Sequence, residues 1–456
     1  MKNLAFLVFL IFSIANAQNK QILYDFAGLP QTLLVNPGAE VSNKFYFGFP
    51  LFSQVALQGG FTGFSAYDIF ADDGININTK ISDAIKGFGK SEFTELNQQL
   101  EVLSGGFLLN EKMYLSFGYY QETTVLAKIP RDVIDLLYEG NSDINRQYSI
   151  EKLSARAELL GVFHVGISKK INEKWQVGAR AKLYSSALNV NSKQSTGSLA
   201  TTFGSNNIYK QQLENIDFLL QTSGVFFEDT DVLTPAYYVK KMFLGGNLGL
   251  GIDLGFTHHF KKQWTVSGSA IDLGFIYNTQ DVKSYGLKGD FEVDGFDLNF
   301  DDQDPADYWN DLEDRFNEEL VLDTITSKYI STRPLKLNAA VNYAFGKKLD
   351  NCRFDKRPGL YSNKVGVQLF SNVGAVHTYL AATLFFERWF SKNFQAKITY
   401  TADPYSFKNL GMGIATQLGP VNLYVLADNL LNLNNLYAAK SVNIQVGLNF
   451  IFYDKY

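Results

Sequence analysis

Long apolar runs, cysteine, proline and positive charge are all scarce in this chain. The 456 residues include one cysteine, Cys352, which excludes intramolecular disulfides, and only 10 prolines. After residue 17 no apolar run reaches the ~20 residues that a transmembrane helix needs, which argues against a helical membrane protein. The net charge of −5 provides no basic surface for nucleic acid, so we expect no nucleic-acid partner.

Local motifs for catalysis, metals and cofactors are also missing. There is no G-x-S-x-G elbow, and the four histidines include no pair at helical metal-ligand spacing. The glycine-rich stretch from Gly246 to Gly255 has Leu254 where a dinucleotide fingerprint needs its third glycine. The acidic group at Asp301, Asp302, Asp304 and Asp307 lacks the EF-hand order, which favours a solvated helix start over a calcium site. We therefore predict no catalytic residue, no metal and no cofactor, although dispersed catalytic partners would leave no local trace.

The front of the chain has the form of an export signal. Lys2 precedes an apolar run from Leu4 to Ile14, and Ala15-Asn16-Ala17 fits a small-residue cleavage site. Residues 1–17 are thus predicted to be a signal peptide without a lipid-anchor cysteine. We predict that residues 18–42 form a segment inside the lumen or at one rim of a barrel, and that residues 43–456 form the barrel.

The last strand shows most clearly what the chain does have. From Ser441 to Phe452 apolar and polar residues alternate without a break, which is typical of a strand with one apolar face. Its length suits the 9 to 11 residues with which a tilted strand crosses a bilayer. Aromatic residues make up 15% of the chain, and 37 glycines accompany them, as in strands, interface belts and tight turns.

A hairpin in the first half carries charges on the polar face of the same alternation. The period alone fits both a soluble sandwich, with the apolar face in its core, and a membrane barrel, with that face toward lipid and a polar lumen. The barrel is our working interpretation. The candidate lumen-lining residues are Arg156, Glu158, His164, Arg180, Lys182, Asp253 and Asp272. These side chains would either contact a solute or form a salt-bridged network that stiffens the barrel.

Counting alternating segments predicts an all-β fold, a transmembrane antiparallel barrel of about 14 strands with short helices in its loops. Residues 189–239 are predicted to be a long loop with some helix around Tyr209 to Leu220, and residues 285–330 a second long loop. Helix-like spacing places one or two short helices between Thr79 and Leu100, and an acidic amphipathic helix between Asp301 and Lys328. The phase of the strand from Trp264 to Tyr277 slips near Ser269, which predicts a bulge.

Several short motifs in this order resemble a family of Gram-negative outer-membrane barrels of uncharacterised function. That family is distantly similar to fatty-acid-transporter (FadL-type) barrels and to PorV-type barrels of type IX secretion. The motifs are Leu34-Val35-Asn36-Pro37-Gly38, Ile129-Pro130-Arg131-Asp132 with Glu139-Gly140-Asn141, Gly251-Ile252-Asp253-Leu254-Gly255, Asp272-Leu273-Gly274-Phe275-Ile276 and Asp428-Asn429-Leu430. Gly38 departs from the alanine that the resemblance leads us to expect after Asn-Pro.

The sequence thus leads to two main functional hypotheses for a protein of the cell outer membrane in contact with its lipid. In the first, the barrel passes or binds a small, amphiphilic solute. In the second, it is a non-catalytic interaction component whose outer loops dock a protein of a secretion or surface-assembly machine. A lipid-modifying barrel enzyme is a third hypothesis.

Overall fold

The computed structural model describes residues 21–453, with gaps at 27, 205–208, 226–233, 294–304, 349–360, 408 and 432–436. The predicted signal peptide, Cys352 and the acidic residues Asp301, Asp302 and Asp304 lie outside the described residues. Across the ranges that are described, none of the helices has the length and apolar character needed to cross a membrane.

The chain forms a closed, antiparallel barrel of 14 strands, which confirms the predicted fold class. In chain order, the strands of the described residues are β1 (Phe45–Gly48), β2 (Gln54–Phe61), β3 (Ser91–Asn110), β4 (Met113–Pro130), β5 (Gln147–Ser149), β6 (Ser154–Lys170), β7 (Trp175–Thr202), β8 (Lys210–Ser223), β9 (Asn247–Lys261), β10 (Trp264–Asn278), β11 (Ser284–Val293), β12 (Leu320–Ile325), β13 (Tyr329–Thr332), β14 (Leu335–Lys348), β15 (Tyr361–Val373), β16 (Tyr379–Ser391), β17 (Phe394–Ala402), β18 (Asn409–Leu418), β19 (Val421–Ala427) and β20 (Ser441–Phe452).

The last strand closes the wall. β20 pairs with β19 on one side and with β1 and β2 on the other, in the registers Phe45↔Phe452 and Val55↔Val446. β1 and β2 together occupy one wall position between β20 and β3, and β13 and β14 together occupy the position beside β10. A closed wall leaves no unpaired strand edge.

The two ends of the barrel differ in their connections. At one end, called the short-turn end, β3–β4, β6–β7, β9–β10, β16–β17 and β18–β19 join through two to four residues. The opposite end, called the outer end, carries the long connections other than the one between β14 and β15, whose residues 349–360 lie outside the described residues. The helices are α1 (Thr32–Val35), α2 (Ala66–Phe70), α3 (Ile77–Lys86), α4 (Arg131–Glu139), α5 (Pro235–Lys240), which continues into a π-turn (Lys241–Gly245), and α6 (Pro305–Glu319). All except α1 belong to outer-end connections.

One sequence prediction for the outer end is wrong, and another is confirmed only in part. Residues 189–239 are not mainly a loop, since β7 continues to Thr202 and the expected helix around Tyr209 to Leu220 is strand β8. Of the one or two short helices predicted between Thr79 and Leu100, α3 forms, and the second half of that stretch belongs to β3. The upper part of β7 is polar on both faces, which removes the apolar alternation that reveals a strand, and the apolar residues of β8 recur at helix-like spacing.

The predicted acidic helix and the predicted bulge in β10 agree with the structure more closely. Helix α6 lies in the acidic stretch between Asp301 and Lys328, although β12 follows it directly. The bulge predicted near Ser269 falls between Ala270 and Leu273, where the register with β9 shifts. Asp272 takes a φ of 66° there, a left-handed conformation that aspartate tolerates better than most residues.

Candidate functional site

The polarity of the wall is the reverse of that of a soluble protein, with charged side chains on the inner face and apolar side chains on the outer face. On the inner face Arg180 is 1% exposed, Lys182 4% and Asp253 0%, whereas on the outer face Val165 is 52% and Leu250 59% exposed. This distribution decides between the two interpretations of the alternation, because a soluble sandwich would bury the apolar set. The polar faces of the strands line an enclosed lumen.

One set of the candidate residues forms an ion-pair network between neighbouring strands. The ammonium of Lys182 lies 2.6 Å from Asp272 Oδ1 and 2.9 Å from Asp253 Oδ2. Arg180 Nη1 lies 3.3 Å from the same Asp253 oxygen. The bulge helps to build this network, since Asp272 N donates to Asp253 Oδ1 at 2.8 Å.

Two cations that the sequence analysis missed extend this network. Arg333, between β13 and β14, pairs with Glu122 at 2.8 Å, with Glu158, and with Asp272 at 3.6 Å. Lys336 lies 3.1 Å from Asp272 Oδ2 and 3.5 Å from Glu122 Oε1. These contacts join β4, β6, β10 and β14 into one charged surface.

Of the other candidates, Arg156 belongs to this network and His164 does not. Arg156 pairs with Glu158 at 2.7 Å. His164 is 4% exposed, and neither of its ring nitrogens has a hydrogen-bond partner among the described residues. Its ring packs 5.7 Å from that of Tyr120 and over Gly118, where a Cβ would come within 2.7 Å of Nε2. Within the described residues, His164 therefore has a packing role.

The N-terminal segment, residues 21–42, lies inside the lumen and is called the plug. Its apolar side chains Ile22, Leu23 and Phe26 are each 0% exposed and pack on Tyr424 and Leu426 of β19. Polar contacts reach strands around much of the wall. They are Gln31 Nε2 to Asn449 Oδ1 (2.8 Å), Lys397 Nζ to Tyr24 O (2.6 Å), Ser269 Oγ to Val35 O (2.6 Å), Thr257 Oγ1 to Gly38 O (2.8 Å) and Gln176 Nε2 to Ala39 O (3.0 Å).

The Asn-Pro-Gly motif of the plug fits against glycines of the wall near the short-turn end. A Cβ on Gly178 would lie 2.0 Å from Pro37 O, and one on Gly255 would lie 2.1 Å from Asn36 Oδ1. Two of the short motifs singled out in the sequence thus meet in space. Glycine is needed at both wall positions because the plug backbone passes too close for any side chain.

Between the plug and the outer end the lumen contains a cavity of about 60 Å³, called the chamber. Its polar lining comprises Gln21, Gln58, Glu95, Asn97, Gln99, Glu122, Thr124, Lys182, Asp272, Arg333, Lys336, Asn338 and Asn372. Its apolar lining comprises Leu34, Val35, Tyr120, Leu126, Ile271, Pro334 and Phe370. Of the seven candidates, only Lys182 and Asp272 line the chamber. Arg156, Glu158, Arg180 and Asp253 stand behind them in the network.

A group of rings lies near the chamber on the outer side. Glu95 of β3 accepts hydrogen bonds from the phenols of Tyr379 (3.1 Å) and Tyr405 (3.2 Å), which come from the opposite side of the wall. Phe93 stacks on His377 with 4.0 Å between ring centroids. These contacts span the lumen, so the chamber has the plug on its inner side and this outer cluster on the other.

Glu95, Glu122, Arg333 and Lys336 were not among the predicted residues, for different reasons. Glu122 lies on the same face as Ser116 and Gly118 and could have been found by continuing the alternation of β4 to its end. Glu95 was hidden by the helical interpretation of its segment. Arg333 lies outside any strand, in an Arg-Pro junction whose inward direction depends on the break between β13 and β14.

Together the closed wall, the apolar outer face and the charged lumen define a plugged β-barrel with its polar face inside. The chain belongs to a family of unknown function, DUF5723, whose model matches residues 37–428. This agrees with the resemblance found in the sequence. No curated protein matches the chain.

Solved barrels resemble the structure at low sequence identity. The Ralstonia pickettii toluene transporter TbuX is 7% identical, with a TM-score of 0.44, over 97% of this chain and 100% of its own. A Pseudomonas aeruginosa FadL homologue is 9% identical, with a TM-score of 0.42, over 93% and 94%. The translocator domain of the Neisseria meningitidis autotransporter NalP is 8% identical, with a TM-score of 0.32, over 91% and 90%.

Proposed function

We propose that this protein is an outer-membrane barrel that binds a small amphiphilic solute in its chamber and passes it through the lumen. The observation that carries the proposal is the lining of the chamber, a cavity of about 60 Å³ in which charged and amide groups face apolar side chains. Such a mixture suits a ligand with an apolar body and a polar head.

The location in the outer membrane rests on the signal peptide predicted in the sequence and on the outer face of the wall. Rings gather near the short-turn end, as expected for an interface belt. The pairs are Trp175–Phe256 (5.9 Å), Trp264–Tyr343 (5.0 Å), Phe390–Phe394 (5.5 Å) and Phe45–Phe452 (5.8 Å). Because barrels of this class keep short turns on the periplasmic side, the short-turn end is assigned to the periplasm.

Passage requires the plug to move, and Asp25 is the contact to test. Asn342 Nδ2 donates to Asp25 Oδ2 at 2.6 Å, and Lys364 Nζ lies 3.4 Å from Oδ1. Loss of the carboxylate leaves Lys364 its hydrogen bond to the backbone oxygen of Asp25 at 2.6 Å and its ion pair with Glu387 at 3.0 Å, so the barrel itself should stay intact. The plug should then leave its position more often.

The experiment uses proteoliposomes and measures uptake of 2-phenylethylammonium, 2-phenylethanol and 3-phenylpropanoate. The wild type should accelerate uptake of at least one of them over empty liposomes, and Asp25→Ala should raise that rate about tenfold. Asp143→Ala, in an exposed outer loop, is the matched control and should behave as wild type. If the wild type neither binds nor passes any of the three compounds, and Asp25→Ala does not either, the proposal is wrong.

The outer extension gives the interaction hypothesis a specific basis as a second candidate. β8 pairs with upper β7 and with β11, and β11 pairs with β12, so a sheet continues beyond the barrel. Trp309 is 45% and Phe316 37% exposed on α6 beside it. Deletion of residues 301–328 separates the two functions, since uptake through the lumen should survive while recovery of a cross-linked partner should be lost.

A further inference from the structure

Glu95 differs from every other acid that lines the chamber. Glu122 and Asp272 each have at least two cations within 4 Å. Glu95 is 6% exposed, yet no lysine, arginine or histidine of the described residues pairs with it. Lys336 also lines the chamber, but its ion pairs are with Asp272 and Glu122. The chamber therefore presents one buried carboxylate that has no ion-pair partner within 4 Å among the described residues.

The hydrogen bonds of Glu95 leave one of its oxygens open. The phenols of Tyr379 and Tyr405 both donate to Oε2. Oε1 accepts nothing from the described residues, and Glu95 lines the chamber. A buried ionised carboxylate is costly unless a donor or a cation satisfies it, so a cationic donor in the chamber would be bound strongly here.

The surroundings of Glu95 favour an organic ammonium over a bare metal ion. Four rings lie around it, with Phe93 and Tyr405 centroids 5.0 Å apart and Phe370 and Tyr379 centroids 6.0 Å apart. Phe370 lines the chamber and provides an apolar surface for the body of a ligand. Aromatic faces also attract ammonium groups.

A second polar group, on the opposite side of the chamber, lacks a partner among the described residues. The side chain of Asn372 is 4% exposed, lines the chamber and makes no hydrogen bond with the described residues. Asn372 pairs in register with Tyr379, whose phenol holds Glu95. An ammonium has three donors, which is enough for one hydrogen bond to each group.

We infer that the chamber is selective for amphiphiles with a primary ammonium head, bound at Glu95 with the apolar body against Phe370. This inference rests on the proposed function and specifies its solute class. A carboxylate head would meet Glu95 directly, and the cations that could receive it are already paired.

The test is calorimetric binding to the full-length protein in lipid nanodiscs, with the same three phenyl compounds. They share a phenylethyl body and differ in the charge of the head. The wild type should bind 2-phenylethylammonium at least tenfold more tightly than 2-phenylethanol, and 3-phenylpropanoate most weakly. Glu95→Gln should bring the ammonium and the alcohol within about twofold of each other. Glu173→Gln, the same charge change in an exposed short turn, should keep the tenfold preference.

A gain-of-function variant covers the case in which Glu95→Gln does not fold. Asn372→Asp adds a carboxylate to the chamber lining opposite Glu95 and should raise affinity for the ammonium several-fold without improving that of the alcohol. Equal binding of ammonium and alcohol by the wild type would overturn the inference, as would an unchanged preference in folded Glu95→Gln or no gain in Asn372→Asp. Binding of the alcohol or the acid without preference for the ammonium overturns this inference alone. No binding of any compound contradicts the proposed function as well.

Discussion

Two stretches of the lumen wall satisfy their buried polar groups in different ways. The ionic stretch, β4, β6, β7, β9, β10 and β14, carries paired charges. The amide stretch, β18, β19, β20 and β2, has amides and small residues on its inner face, such as Asn443, Gln445 and Asn449, each at most 1% exposed. The small residues make room for the plug, since a Cβ on Gly413 would lie 2.8 Å from the Phe26 ring. One stretch holds the plug by packing, and the other provides charges to the chamber.

The largest effect is expected from breaking the ionic stretch at Arg333. Arg333→Ala leaves the buried side chains of Glu122, Glu158 and Asp272 each with one cation fewer. Removing one partner of a buried ion pair typically costs about 3–5 kcal/mol. The loss should appear as a large drop in the temperature at which the barrel ceases to migrate as a folded species on a detergent gel.

The matched change in the amide stretch is Gln445→Ala. Gln445 is 0% exposed, and its one hydrogen bond to a neighbour, Nε2 to Tyr424 Oη, is long at 3.5 Å. A neutral hydrogen bond contributes only about 1 kcal/mol, so the drop should be much smaller than for Arg333→Ala. Equal drops in the two variants would contradict the distinction between the stretches.

A more local effect is expected from Phe26→Ala in the plug. Phe26 is fully buried against the amide stretch, and truncation of a buried phenylalanine costs about 3 kcal/mol or more. Because the barrel wall is separately closed, the loss should fall on plug docking. Hydrogen exchange should therefore speed up in residues 21–42 and stay unchanged in β20. Leu380→Ala is the control, since that side chain is 71% exposed on the outer face.

The sequence predicted the wall better than the contents of the lumen, and the comparison of stretches shows why. β20 was predicted with the bounds that the structure has, because its outward residues from Val442 to Phe452 alternate strictly. Periodicity also identified Arg180 and Lys182 as inward-facing. It could not reveal that Asp253 and Asp272 neutralise them, since pairing between strands depends on register and on the bulge at Asp272.

The second limit of the sequence analysis was that contacts between strands far apart in the sequence leave no local pattern. Glu95 meets Tyr379 and Tyr405 across 284 and 310 residues of sequence, a contact that no local pattern records. The family match adds nothing here, because its function is unknown. The chamber is a product of the barrel's closure and of the plug's path, and only the three-dimensional structure contains both.

The smallest effect concerns the outer cluster and its dependence on pH. Burial, aided by the nearby charge of Lys128, lowers the pKa of His377, whose ring stacks on Phe93. The stacked ring is therefore neutral, while an opened ring would bind a proton below its usual pKa of about 6.5. The stack contributes its full stability above that pH and loses it as the pH falls further.

Uptake in proteoliposomes should rise modestly between pH 7.5 and 5.5. His377→Phe keeps the stack without the proton and should remove that rise, and a pH profile unchanged by this variant would show that the stack does not limit entry.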